Sequence, residues 1–136
     1  MRSVDLDDVR AARKLLDGVV RMTPLEHSRV LAAAAGGPVH LKCENLQRTG
    51  SFKIRGAYTR ISRLTPEQRA VGVVAASAGN HAQGVALAAQ MLGVAATVFM
   101  PERAALPKLG ATRGYGATVH LVGDTIDECI AEASAF

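Results

Sequence analysis

The sequence has no tryptophan, three phenylalanines and two tyrosines in 136 residues. A core without large rings has to be filled by Val, Leu, Ile and Ala, and the chain is 49% hydrophobic, with many alanines. Cysteine is as scarce: Cys43 and Cys129 stand far apart, in no metal-binding or redox spacing, and read as two reduced thiols. His27, His40 and His120 are isolated and read as surface or sheet positions, so no metal site is expected. No apolar run approaches the roughly 20 residues that span a membrane. The opening Met1-Arg2-Ser3-Val4-Asp5 lacks the apolar core of a signal peptide. A cytoplasmic protein without a membrane partner is the expectation. The net charge of +4 comes from scattered Arg and Lys, with no block of like charges and no basic–aromatic interleaving. Nucleic-acid binding is therefore not expected.

What is present suffices for one modest domain with a real core. There are no internal repeats and no low-complexity linkers. Ser3 can cap a first helix with Asp5, Asp7 and Asp8 in its opening turn, where negative charge is favoured. Leu6, Val9, Ala12, Leu16 and Val19 fall near one face of it, and Gly18 is a plausible stop. Thr23-Pro24-Leu25 reads as an extended turn, because the residue before proline avoids the helical region. A short helix over 28–35 ends at Gly36-Gly37-Pro38. Residues 39–43 alternate apolar and polar, as in a strand with one buried face. Thr65-Pro66-Glu67-Gln68 opens a short helix with a capping box. From residue 71 onward strand and helix alternate: strands at 71–76, 94–100 and 118–122, helices at 81–92, 107–115 and 125–135. That alternation implies an α/β fold with a parallel sheet. Asp124, Asp127, Glu128 and Glu132 read as a solvated face of the last helix.

Two stretches carry chemistry. In Thr49-Gly50-Ser51-Phe52-Lys53-Ile54-Arg55-Gly56-Ala57, Gly50 permits a bend and Ser51 can cap a helix over about 52–64. Lys53 then lies in the first turn, at the positive end of the helix dipole, where an ammonium is disfavoured. That setting favours the neutral amine that nucleophiles and Schiff bases require. A solvated surface lysine is the plainer reading of these residues alone. Arg48, Arg55 and Lys42 flank the stretch. They could steer an anion, though ordinary surface charge is again plainer. In the second stretch, the strand at 71–76 is broken by Ser77-Ala78-Gly79-Asn80, and a helix opens at His81. A strand, a small-residue loop and a helix N-terminus present free backbone amides to an anion. The loop lacks the glycines of a dinucleotide-binding turn and the Lys-Ser/Thr pair of a P-loop, so a carboxylate fits as well as a phosphate. An ordinary strand-to-helix turn is the alternative. His81 is as readily a cap or a supporting donor as a substrate contact.

Taken together, Lys42-Cys43-Glu44-Asn45-Leu46-Gln47-Arg48-Thr49-Gly50-Ser51-Phe52-Lys53-Ile54-Arg55-Gly56-Ala57 and Ala76-Ser77-Ala78-Gly79-Asn80-His81-Ala82-Gln83-Gly84-Val85-Ala86 resemble the threonine dehydratase (threonine ammonia-lyase) family. These are tryptophan-synthase-β-like, fold type II pyridoxal-phosphate (PLP) enzymes, with serine racemase as a near relative. The likeness runs from Thr23-Pro24-Leu25 through Ala111-Thr112-Arg113-Gly114-Tyr115-Gly116-Ala117. It implies a three-layer open parallel sheet with helices on both faces. Residues 46–136 would form the small domain, and residues 1–45 would pack with a large domain. It also implies that Lys53 holds PLP covalently and later serves as the base at the substrate α-carbon. Phe52 would pack against the cofactor ring, and Asn80 would hydrogen-bond its 3′ oxygen. Ser77, Ala78, Gly79, Asn80 and His81 would hold the substrate carboxylate. The implied reaction eliminates water and then ammonia from L-threonine, giving 2-oxobutanoate, or from L-serine, giving pyruvate. A homo-oligomer is expected at full length, in isoleucine biosynthesis or threonine degradation.

Two departures from the family pattern matter. The racemase relatives carry a serine where Ala78 stands, and a side chain without a hydroxyl cannot deliver a proton to the opposite face of the α-carbon. That favours elimination over a mixed racemase–dehydratase. The sequence also ends at Phe136, before the glycine-rich loop that holds the PLP phosphate in the family and the group that contacts the pyridine nitrogen. The chain is therefore expected to aggregate or to be inactive alone. A non-catalytic, truncated small-molecule-binding paralogue is the reading from outside the enzymes.

Overall fold

A computed structural model describes residues 3–136; Met1 and Arg2 of the opening stretch lie outside it. The alternating second half forms a three-stranded parallel sheet in the order β3 (Val73–Ala76), β4 (Ala96–Met100), β5 (Thr118–Leu121). Val73 lies opposite Ala96 and Thr97 opposite Thr118. Successive strand residues face opposite sides, and each side of β4 meets a different layer. Ala96, Val98 and Met100 join the core with Ala82, Ala86 and Ala89 of α5 (Asn80–Leu92) and Ile54, Ala57 and Ile61 of α3 (Lys53–Ser62). Between them, Phe99 stacks on His120 at 5.1 Å and meets Phe136 edge-on at 5.6 Å. Phe136 directly follows α7 (Ile126–Ala135), which packs on β3 and β4 and buries Cys129 completely. The three-layer arrangement with helices on both faces is borne out. α6 (Leu106–Gly114) lies against α5 and β5.

The boundary between α4 (Pro66–Val71) and β3 departs from expectation. Val71 ends a helix instead of opening a strand. The Thr65/Gln68 capping box starts that helix strongly, and Gly72 turns the chain at φ 98°. Gly72 has to be small, because a Cβ there would sit 2.9 Å from the Ala95 carbonyl oxygen. The first helix also differs. α1 is Leu6–Leu15, and its cap is Asp5, not Ser3. Asp5 and Asp8 bond each other's backbone amides at 2.9 and 3.1 Å, placing two carboxylates at the positive end of the helix dipole. Leu16 and Val19 are buried as expected, but Leu6 and Val9 are exposed.

Thr23-Pro24-Leu25 leads into a strand. β1 (Leu25–His27) pairs antiparallel with β2 (His40–Lys42), Leu25 opposite Lys42. Where a half-buried strand is expected at 39–43, all three residues of β2 are exposed, as are those of β1, and only Val39 and Cys43 at its ends are half-buried. α2 (Arg29–Ala35), capped by Ser28, likewise buries none of its residues.

This outlying segment is tied to the chain before α3 by polar bonds. The side chain of Gln47, 3% exposed, accepts from the Arg21 N–H and donates to the Arg21 carbonyl, both at 2.8 Å. Arg48 Nε donates to the Val19 carbonyl at 2.6 Å. Glu44 receives both Arg55 Nε and its terminal nitrogen at 2.8 Å, and the Thr23 hydroxyl at 2.6 Å. Lys42 Nζ donates to the Thr23 carbonyl at 2.7 Å. Arg48, Arg55 and Lys42 are thus structural braces. The Arg55 hydrogen bonds hold the Glu44 carboxyl at about 2, against a usual 4.5.

A depressed carboxyl stabilises the fold above its unfolded value and loses that contribution as pH falls through the folded one. Glu44→Gln is therefore expected to destabilise the chain by about 1–2 kcal/mol at pH 7, after screening of the partly exposed pair is allowed for. The deficit should shrink between pH 4.5 and 2, the two values of the carboxyl. Urea unfolding of both proteins across that range checks it; a deficit independent of pH would refute the assignment.

Candidate functional site

The approach to α3 is bent by two consecutive left-handed residues, Thr49 at φ 64° and Gly50 at φ 67°. Glycine adopts this region freely, but a β-branched threonine does so at a cost of about 1–3 kcal/mol. The Thr49 hydroxyl is also buried without a hydrogen-bond partner among the described residues. Ser51 then accepts the Lys53 N–H at 3.4 Å, from a side chain that is 6% exposed. The helix opens one residue later than expected, at Lys53, and stops at Ser62 instead of 64. Phe52, at φ −67° and ψ −9°, already has helical backbone. The residue is 58% exposed, and the half-buried Lys53 places Nζ 5.1 Å from the ring centroid. Amine and aromatic face are thus presented side by side.

The second stretch leaves the sheet at the carboxyl end of β3, the end at which open α/β sheets bind ligands. The Ser77 N–H extends the ladder to the Phe99 carbonyl at 3.0 Å. Ser77 Oγ accepts the Gly79 N–H at 3.2 Å, closing a small turn over Ala78. α5 begins at Asn80, and like α3 and α6 it has no side-chain cap, whereas α1, α2, α4 and α7 are capped by Asp5, Ser28, Thr65 and Thr125. The first-turn amides of α5 are therefore left for another acceptor. Ala78, Asn80 and His81 are exposed, and Ser77 and Gly79 half-buried.

Close packing of α3 on α5 brings the two stretches together. At their crossing a Cβ on Gly84 would lie 3.0 Å from both the carbonyl carbon and Cβ of Lys53, and 3.2 Å from the Ile54 nitrogen. Gly84 is one turn past Asn80, so the first turn of α5 rests on the first turn of α3. His81 registers that proximity. Crowding by protein atoms lowers its pKa below 6.5, and the Lys53 ammonium lowers it further. In an NMR titration His81 is expected to protonate below 6.5 and to move back toward that value in Lys53→Met. A base protonated less readily when folded makes the fold less stable as pH drops through the unfolded value. A His81 titration unchanged by the substitution would show that the two side chains are not neighbours.

Two contributors were not singled out from the sequence. A helix-interior glycine costs about 1 kcal/mol relative to alanine, so Gly84 was a visible hint of close packing. Lys108 of α6 gave no such hint. Its Nζ donates to Asn80 Oδ1 at 2.5 Å across 28 residues of sequence. His27 and His40 face each other across β1 and β2 at 5.4 Å, and His120 lies on Phe99, as expected of sheet positions. Asp124, Asp127, Glu128 and Glu132 belong to the α7 side of the sheet and are exposed. Glu128 completes a capping box with Thr125, and Asp124 pairs with Arg103 at 3.5 Å. Among the described residues no group of three or more His, Cys, Asp or Glu could hold a metal, and no helix is long and apolar enough to cross a membrane. A groove of about 520 Å³ runs from His81 beside β3, lined by Ala57, Ile61, Val73, Ala75 and Val85. A second recess, of about 370 Å³, lies between α1 and the far end of α3, away from Lys53.

The model of the pyridoxal-phosphate dependent enzyme family matches residues 16–136. The chain is 55% identical over 125 residues to L-threonine ammonia-lyase of Thermotoga maritima, covering 92% of this chain and 31% of that protein. It is 50% identical over 126 residues to the catabolic L-threonine dehydratase of Staphylococcus aureus, covering 92% and 36%. It thus spans about a third of the length of these relatives. Among solved structures, maize serine racemase superposes with a TM-score of 0.87 at 34% identity, over 98% of this chain and 41% of the racemase. The processed form of threonine deaminase isoform 2 from Solanum lycopersicum does so with a TM-score of 0.79 at 40% identity, over 96% and 38%.

Proposed function

The chain belongs to the pyridoxal-phosphate-dependent enzyme family, and from that premise we propose that it is the lysine-bearing part of a threonine ammonia-lyase acting on L-threonine or L-serine. The residues present fit the cofactor. An amine and an exposed aromatic face stand together at Lys53 and Phe52. Uncapped helix amides and an exposed asparagine amide lie across from them. Cationic and N–H donors dominate, as an anionic ligand requires. The observation that carries the reading is the Gly84 contact, which seats the first turn of α5 on the turn that presents Lys53.

In this reading Lys53 holds PLP covalently, Phe52 packs on its ring and Asn80 donates to its 3′ oxygen. When bound, PLP supplies an electron sink for the carbanion left by loss of the α-proton. Once the substrate amine has displaced it from the cofactor, the freed Lys53 amine would take that proton. The first-turn amides of α5, with Ser77, Gly79 and His81, hold the substrate carboxylate, with Ala78 beside it. The β-hydroxyl leaves as water, and water returns to release ammonia, so threonine gives 2-oxobutanoate and serine gives pyruvate. Serine racemase is among the similar structures, but the methyl side chain of Ala78 has no proton to give. That supports elimination over racemisation.

We also propose that residues 1–45 pack with a further domain such as the longer relatives have room for, leaving 46–136 as the small domain. The exposed apolar side chains of Leu25, Val30, Leu31 and Leu41 support this. We propose further that this chain alone turns over poorly or self-associates, and that the protein works as a cytoplasmic homo-oligomer. Titration with PLP, followed by visible absorbance, borohydride trapping and peptide mapping, tests the site. Saturable absorbance with the label on Lys53, lost in Lys53→Ala, is expected. Labelling spread over many lysines and unchanged in the variant would leave a non-catalytic binding remnant as the better reading.

A further inference from the structure

We propose that Lys108 is a positioning residue that fixes which end of the Asn80 amide faces the cofactor; this rests on the PLP reading above. An asparagine side chain carries an acceptor oxygen and two N–H donors on a symmetrical frame, and its neighbours decide which way it turns. The neighbour here is unambiguous. An ammonium has three donors and no acceptor, so only Oδ1 can face Lys108 Nζ, and it does so at 2.5 Å. The Nδ2 donors are thereby turned away from α6. A cofactor 3′ oxygen, an acceptor carrying negative charge, needs a donor opposite it. The flipped amide would set oxygen against oxygen.

Lys108 is placed for this role. Its turn of α6 is anchored by the buried Leu109 and by the completely buried Thr112, whose hydroxyl donates to the Lys108 carbonyl at 2.8 Å. Packing of α6 on α5 then brings the lysine over the start of α5. Among the described residues no carboxylate pairs with Lys108, so its charge stays available to the asparagine and to an anion beside it. Asn80 is the first residue of α5, and its backbone is held by the helix. The side-chain torsions are what Lys108 adds control over.

Two measurements test this, one without the cofactor. In the chain without PLP, the Nδ2 group of Asn80 should show ordered NMR relaxation in wild type and in Lys108→Arg, which keeps a donor. It should become mobile in Lys108→Met, which keeps the stem and loses the charge. Equal order in all three overturns the proposal. In PLP titrations, Lys108→Met and Asn80→Ala should each weaken binding by about 5–10-fold and shift the visible spectrum the same way. The double variant should be no worse than the poorer single, and Lys108→Arg should recover most of the affinity. Fully additive losses, or wild-type binding and spectrum in Lys108→Met, also overturn it. If wild type itself fails to label at Lys53, the functional reading falls and takes the cofactor half of this proposal with it. The relaxation data would still show whether Lys108 holds the amide.

Discussion

Gly84→Val is expected to destabilise the chain by about 3 kcal/mol and to reduce PLP labelling of Lys53 more than tenfold. The glycine lies where α5 crosses α3, and the atoms that meet its missing side chain are mostly main chain. A Cβ would stand 3.0 Å from the Lys53 carbonyl carbon and Cβ, and 3.2 Å from the Ile54 nitrogen. Backbone cannot rotate aside as a flexible side chain does. For alanine the helices have to part by a few tenths of an ångström, and the better helix propensity, about 1 kcal/mol, offsets much of the strain. Valine adds two branches, and overpacking of that kind costs about 1–3 kcal/mol before any core contact is lost. The parting also loosens Ala82, Val85 and Ala89 against Ile54, Ala57 and Ile61, the contacts that join the two helices into one core. The lysine moves with its helix, away from the α5 amides. Urea unfolding and borohydride trapping on Gly84→Ala and Gly84→Val give the comparison. Wild-type stability and labelling in the valine variant would mean that this crossing does not set the geometry.

The second half of the fold was legible because its signals are local. Alternating apolar runs and helices, small residues at turns and the Thr65 capping box depend on neighbours within a few residues, and the parallel sheet follows from the alternation. The boundary at 71–76 was misplaced because Val71 suits a strand as well as a helix end, and only the Ala95 carbonyl beside Gly72 settles where the turn falls. The N-terminal part was less legible for a different reason. Residues 39–43 have the alternation of a half-buried strand, yet β2 is exposed on both faces; alternation states what a strand can bury, not what is there to cover it. Lys53, Phe52 and the 77–81 loop were singled out as candidates from short motifs and their resemblance to a known family. Lys108 was invisible because its contact with Asn80 is created by a crossover through β4, and no spacing rule connects residues 28 apart.

Ile54→Ala separates the chemistry of Lys53 from its support, and a loss of about 3 kcal/mol is expected. Ile54 is fully buried and among the largest such side chains in the chain. Removing three carbons from a site of this kind costs about 2–5 kcal/mol, depending on how far the surroundings close the cavity. The alanines of α5 around it have no side chains long enough to reach in. Against a domain stability of about 5–15 kcal/mol the loss is large, and it should lower the melting temperature by roughly 10 °C. The amine itself is untouched. Whatever fraction remains folded should still label at Lys53, and PLP at a hundredfold excess over its Kd should return about 2.7 kcal/mol by binding only the folded state. Lys53→Ala should show the opposite pattern, with a melting temperature near that of wild type but no PLP-dependent rise. Thermal melts of the three proteins with and without PLP decide between them. If Ile54→Ala melts as wild type does, the core under the lysine is not what holds it; if Lys53→Ala gains as much from PLP as wild type, the cofactor binds somewhere else.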